Sequence, residues 1–246
     1  MIVKYYSFFF FITFFFLTEK VCAQESEYSD LYIQFDSHIG IQNSDLYNGI
    51  SYNEYHRVDR NQNKFLFKSG MQPGEVIYEN QTYHNVLVNY NIYDDLLLVK
   101  LKSNSGTHTF QLIKEKVQGF ETDNFQFVHI TPNSRNNNIQ SGFYEILLSG
   151  TMGHIKLLKK HQLKENRNLT KNVTVYYYSE GKSEFFVQKQ DKVFVVENIR
   201  DFHEIFPNYK SFITQFYKKN KTLKKSNPER FITNLIGFLF TKIQKI

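Results

Sequence analysis

The chain has 246 residues, 30 Lys and Arg against 24 Asp and Glu for a formal net charge of +6, no Trp and one Cys. A single cysteine excludes an internal disulfide framework and a zinc centre built on cysteines. The length is ample for a core of its own, as one large domain or two small ones.

The N-terminal segment reads as an export signal. Lys4 supplies the positive charge, residues 5–17 are apolar and rich in Phe, and Thr18, Glu19 and Lys20 form a polar break. Val21, Cys22 and Ala23 then place tolerated or small residues where a signal peptidase reads them, so cleavage is expected between Ala23 and Gln24. A retained anchor would need about 20 apolar residues, and this run is shorter. Lipidation at Cys22 is disfavoured, because Val21 and Glu19 stand where a small and an aliphatic residue are wanted. Cleavage leaves a mature chain without cysteine, and so without a thiolate nucleophile. The expected organisation is a signal peptide over 1–23, an antiparallel β body over 24–197 and a basic helical tail over 198–246. The expected location is the periplasm, the outer-membrane surface or the extracellular space. Four Asn-x-Thr sequons, at Asn80, Asn168, Asn172 and Asn220, matter only in a host that glycosylates them.

Charge is unevenly spread. Residues 24–100 hold 5 basic and 11 acidic side chains, whereas residues 208–246 hold 9 basic and 1 acidic. An acidic body with a basic tail follows.

From about residue 30 to residue 197 the apolar residues recur with period two. Val86, Val88, Tyr90 and Ile92 stand at every second position, as do Phe125 with Phe127, Ile146 with Leu148, and Val173, Val175 and Tyr177. Residues 96–101 are almost continuously apolar, as in a strand covered on both faces. Turns are expected at Asn48-Gly49, at Gly70 with Pro73-Gly74, over 103–106, over 132–138 and at Glu180-Gly181. Residues 162–172 are polar and aperiodic and read as a long loop or a joint. The fold class is therefore mainly β (α+β), an antiparallel meander forming a sandwich or a partly closed barrel. One continuous body is favoured, with a second small sheet as the alternative.

The period changes in the tail. Asn198 is a suitable cap for a helix carrying Ile199, Phe202, Ile205 and Phe206, which Pro207 ends. Tyr209, Phe212, Ile213, Phe216 and Tyr217 mark a second helix. Asn227-Pro228 opens a third, with Phe231, Ile232, Leu235, Ile236, Leu239, Phe240 and Ile243 over half its circumference. About three amphipathic helices are expected, packed on the body or on each other.

The segments Leu46-Tyr47-Asn48-Gly49, Gly74-x-Val76-x-Tyr78-x-x-Gln81-x-Tyr83-x-x-Val86 and Tyr93-Asp94-x-x-Leu97 resemble a pattern in uncharacterised secreted proteins of Bacteroidetes bacteria. The tail, with Tyr178, Gly181, Phe206 and Phe216, is similar to the C-terminal part of such proteins. The resemblance covers most of the mature chain and implies a cell-envelope protein. Its motifs are turn and core residues, so it transfers no catalytic residue.

Candidate chemistry is sparse. The eight histidines, His38, His56, His84, His108, His129, His154, His161 and His203, show no metal-site spacing. Asp94 and Asp95 are adjacent, so on a strand they would face opposite sides, and a hairpin turn suits them better. Asp36 and Asp59 could pair in glycoside hydrolysis, though their spacing does not argue for it. Residues 149–153, Ser-Gly-Thr-Met-Gly, lack the Lys-Ser/Thr ending of a phosphate loop and read as a turn. Tyr176 and Tyr178 share one strand face and Tyr177 the other. Lys218, Lys219, Lys221, Lys224 and Lys225 cluster between two helices, where a solvated loop competes with contact to anionic membrane. No catalytic, metal or cofactor residue is assigned, and nucleic acid is not an expected partner. The leading expectation is a non-catalytic binding or assembly module of the envelope that contacts another envelope protein. The alternative is a hydrolase or small-ligand binder with its site in the mouth of the β body.

Overall fold

The computed structural model describes residues 44–243, except 60, 69, 104–105, 133–138, 151–154 and 171. The cleavage pair Ala23 and Gln24, and Cys22, Asp36, His38 and His154, lie outside the described residues.

The strands are β1 (Ile50–Ser51), β2 (Gln72–Tyr78), β3 (Gln81–Asn91), β4 (Leu96–Ser103), β5 (Gly106–Gln111), β6 (Val117–Thr122) and β7 (Phe125–Ile130). They continue as β8 (Gly142–Ser149), β9 (Ile155–Lys160), β10 (Leu163–Thr170), β11 (Val173–Glu180), β12 (Glu184–Lys189) and β13 (Lys192–Val195). Eleven of them form one sheet in the order β1-β5-β4-β3-β2-β6-β7-β8-β9-β12-β13, every ladder antiparallel. The chain is thus mainly β, as two meanders joined where β2 pairs with β6.

The sheet is open at β1 and β13 and does not close into a barrel. It is nevertheless strongly rolled. Three strands separate β3 from β8, which in a flat sheet would place them about 19 Å apart at roughly 4.8 Å per strand. Instead the ring of Tyr90 on β3 lies 5.8 Å from that of Phe143 on β8, and 5.1 Å from Phe127 on β7. The two halves of the sheet therefore face each other across a sandwich-like core of Val76, Tyr78, Val88, Tyr90, Leu97, Val99, Phe120, Phe127 and Phe143.

Several expectations need correction. Pro73 and Gly74 are not a turn but lie inside β2. Pro73 pairs with Leu87 of β3, and on its other side the β6 ladder begins only at Gly74, so its missing N–H costs no ladder bond there. At Gly74 a Cβ would overlap the carbonyl oxygen of Glu121. Residues 162–172 are not a loop: Leu163–Thr170 is β10, paired along its length with β11 in a separate two-stranded sheet. That hairpin is held to the body through the Tyr93–Tyr178 ring contact at 4.9 Å and backbone bonds to Arg57 and Gln62. Val173 and Thr174 at its start are exposed, Val175, Tyr176 and Tyr177 on the two faces are half-buried, and Tyr178 is buried.

Four helices, not three, form the tail: α1 (Ile199–Ile205), α2 (Lys210–Lys219), α3 (Lys221–Ser226) and α4 (Pro228–Ile243). Asn198 caps α1 as expected: its side chain accepts from Arg200 N at 2.8 Å, while the Asp201 carboxylate accepts from Asn198 N at 2.9 Å. α4 buries Phe231, Ile232, Leu235, Ile236 and Leu239, each contributing about 1.5–3 kcal/mol. These face Leu157 of β9, Val187 of β12 and Val196. Leu158 and Phe186, next along the same two strands, point the other way into a small core with Ile130, Ile139 and Tyr144. Strands β9 and β12 are thus covered on both faces, by helices on one and by the rolled sheet on the other.

Candidate functional site: a buried ion network and a lysine-lined groove

The Asp94-Asp95 pair forms the β3–β4 turn, with Asp95 in the left-handed region at φ 56°. The turn sends the two carboxylates to two separate cation clusters. Asp94 accepts from Lys64 Nζ at 3.1 Å and Asn91 Nδ2 at 2.7 Å. Lys64 also pairs with Glu54 at 2.9 Å, and Glu54 accepts from the Tyr52 hydroxyl. Burial and the neighbouring Glu54 carboxylate push the Tyr52 hydroxyl up to about 12.

Asp95 lies deeper. It accepts from the Tyr90 hydroxyl at 2.6 Å, Lys160 Nζ at 2.8 Å, Lys114 Nζ at 3.1 Å and the Phe143 amide at 3.2 Å. Burial alone would raise its pKa, but the two ammonium groups and the tyrosine hydroxyl outweigh burial and hold the carboxyl below its ordinary value. For Lys160 burial wins instead, and its pKa is lowered although Asp95 opposes the shift. Lys160 further donates to the Phe143 carbonyl at 3.1 Å and sits 5.0 Å from the Tyr144 ring. Gly142 passes beneath with φ 154°, where a Cβ would overlap both the Asp95 carboxylate and the Lys160 ammonium. Nearby, His161 Nε2 and Glu145 Oε2 lie 2.5 Å apart. His129, whose pKa burial lowers, stands 3.4 Å from Ser141 Oγ. This network fastens the β3–β4 turn to β8 and β9. Its acceptors and donors are engaged with one another, so its chemistry is that of a structural pin.

The other histidines are dispersed. His56 stacks near Tyr176, His84 meets Glu75 at 2.6 Å, His108 lies near Phe110, and His203 meets Thr214 at 3.2 Å. Among the described residues no three His, Cys, Asp or Glu side chains group as a metal site. Asp59 accepts from the amides of Asn61 and Gln62, closing a local turn. Strands β8 and β9 pair up to Ser149 and Lys156, with Gly150 donating to the Ile155 carbonyl; the rest of the turn expected over 149–153 lies outside the described residues.

The tail presents a strongly basic concavity. Lys221, Lys224 and Lys225 lie on α3, a short helix where a loop was expected, and Lys218 precedes them on the last turn of α2. Lys218 on α2 and Lys221 and Lys225 on α3, two helices separated by a break at Asn220, line a groove of about 800 Å³ together with Lys224, Tyr217 and Ile199. Lys219 is not on its wall. No carboxylate lines the groove, and none of its four lysines makes an ion pair among the described residues. Lys221 and Lys225 lie one turn apart on α3, a like-charge spacing that costs a helix about 0.2–0.5 kcal/mol. Lys224 Nζ lies 4.8 Å from the centre of the Tyr217 ring.

A second cavity of about 470 Å³ abuts this groove. It opens between the sheet and the helices, and Phe185, Val195 and Val196 supply one wall while Phe231 and Ile232 supply the other. Tyr217, Lys224 and Ser226 line both spaces. Burial raises the pKa of the Tyr217 hydroxyl, aided by the Asp201 charge. No helix among the described residues is long and apolar enough to cross a membrane. No protein-family model, curated protein or solved structure matches the chain.

Proposed function

We propose that the protein is an exported, non-catalytic binding module of the cell envelope, and that its working surface is the lysine groove of the helical tail, which docks on an anionic lipid surface. The observation that carries this reading is the convergence of Lys218, Lys221, Lys224 and Lys225 on one concavity that holds no acidic side chain. The densest cluster of ionisable groups, around Asp95, supports it from the other side, because those groups are occupied in holding the fold.

Each lysine near an anionic bilayer contributes about 1 kcal/mol, so four contribute about 4 kcal/mol, close to a thousandfold in affinity. The test is co-flotation of the purified protein with phosphatidylcholine vesicles, with and without phosphatidylglycerol. Binding is expected only with phosphatidylglycerol, is expected to fall away near 1 M salt, where the screening length is about 3 Å, and is expected to be lost in Lys221→Glu/Lys225→Glu. Equal binding to both vesicle types, or binding indifferent to that double substitution, refutes the reading.

A further inference from the structure

We infer that the 470 Å³ cavity and the lysine groove together form one binding site for a single-chain anionic amphiphile, with the anionic head on the lysines and the acyl chain inside the cavity. This rests on the anionic-surface reading above and adds to it the class of molecule taken up.

The cavity has a ligand-sized volume, and its walls mix Phe185, Val195, Val196, Phe231 and Ile232 with charged and polar side chains. Val196 and Phe231 are packed into the core, so the apolar surface on offer is that of the exposed Val195 and the half-buried Phe185, with the edge of Ile232. Such surface gains nothing from a bare phosphate or sulfate, whereas an alkyl chain displaces water from it. The ring of Tyr217 stands at the junction, apolar on its flank and polar at its hydroxyl, with Lys224 above it. A molecule with a charged end and an apolar end matches that junction.

Charge sets its direction. The cavity wall carries Glu184, Glu197 and Lys182 on the sheet side, and Glu229 at the start of α4, which Lys159 engages at 2.7 Å. The groove beyond Tyr217 is built from helices and carries lysines alone among its charged residues. An anionic head is therefore drawn to the groove rather than to the mixed charges of the cavity wall, which orients the chain.

The test is calorimetric titration of the purified protein with dodecanoate, octanoate and dodecanol, each below its critical micelle concentration, alongside the vesicle assay. One dodecanoate per protein is expected. Each buried methylene adds roughly fourfold in affinity, so octanoate should bind on the order of a hundredfold more weakly. Dodecanol lacks the charge and should bind about tenfold to a hundredfold more weakly than dodecanoate. Val195→Trp, a change at an exposed rim position, should block the cavity and abolish dodecanoate binding while vesicle flotation persists. Ile232→Phe, which adds bulk from the opposite wall, should weaken it likewise. If dodecanoate fails to bind, binds both variants as it binds the parent, or binds no better than octanoate or dodecanol, the inference falls. Vesicle binding that survives such a result leaves the lysine-groove reading standing, so the two failures are distinguishable. Extraction of the protein in the absence of vesicles, followed by mass spectrometry, separates the sources: a retained free fatty acid identifies a soluble ligand, and a retained lysolipid a bilayer-derived one, and either supports the site.

Discussion

Replacing Asp95 with Asn removes the charge that two ammonium groups face while keeping the size of the side chain. The side chains of Asp95 and Lys160 are 16% and 9% exposed, and Lys114 is 23% exposed. Lys160 would be left buried without its counter-charge, a change that costs about 3–5 kcal/mol, against a total stability of roughly 5–15 kcal/mol for a domain. With a urea dependence of about 2 kcal/mol per molar, the unfolding midpoint should fall by about 2 M at pH 7. The pH profile carries the second signature. In the parent, the depressed pKa of Asp95 gives stability that is present above its unfolded value of about 3.9 and lost as pH falls through the lower folded value. The variant should lack that acid limb. Lys160, with its folded pKa lowered, releases its proton in the folded chain first, so stability rises with pH across that interval. Without Asp95 to oppose it, the interval starts at lower pH, and the gap between parent and variant should narrow as pH rises. Adding Lys160→Met to the variant should recover much of the loss, since an apolar side chain needs no partner. A cost below about 1 kcal/mol at pH 7, or an undiminished cost in the double variant, would show that the network does not fasten the roll.

Two shorter tests bear on other parts of the chain. Gly142→Ala places a Cβ where Asp95 and Lys160 already sit, at a φ that side chains rarely adopt; a loss of at least about 1–3 kcal/mol is expected in the same urea assay, and a neutral result would refute the tight approach. The proposed leader predicts that protein recovered from an exporting host starts at Gln24, which intact-mass measurement checks directly; a mass retaining residues 1–23 contradicts cleavage after Ala23.

The β body was legible where one face is wet and one is dry. Val86, Val88 and Tyr90 are all in the core, with the exposed Asn85 and Leu87 beside the first two, while Asn89 and Asn91 beside Tyr90 are polar but buried. The period failed where both faces of a strand are covered, as at Leu157 and Leu158, or where a bulge shifts the register, as between Ile146 and Leu148. It failed again at β10, whose polar sequence pairs through its backbone with β11 and needs no apolar face of its own. The opposed directions of Asp94 and Asp95 followed from their adjacency. The partners of Asp95, Lys160 and Lys114, did not, because the roll brings together residues separated by 65 and 19 positions, a relation no local pattern encodes. The lysine cluster was readable in sequence, yet the charge density of residues 218–225 suggested a loop where the end of α2 and the short α3 stand. Its apolar neighbour was hidden, since that cavity exists only where β12 and β13 meet α2 and α4.

Inside the fold and outside it, lysine is used in opposite ways. Lys160 and Lys114 converge on one carboxylate, which offsets one of their two charges and halves what they add to the field around the protein. The groove lysines have no such partner among the described residues, and their field extends about 8 Å into physiological solution. Residues 24–100 carry more than twice as many acidic as basic side chains, and residues 208–246 the reverse in stronger measure. Residues 101–207 hold 14 basic and 11 acidic side chains, so the body as a whole is close to neutral. A negative surface therefore attracts the tail far more than the body, and the charge distribution turns the molecule before contact. The turn that brings the lysine groove to such a surface also brings the mouth of the adjoining apolar cavity, because Tyr217, Lys224 and Ser226 border both.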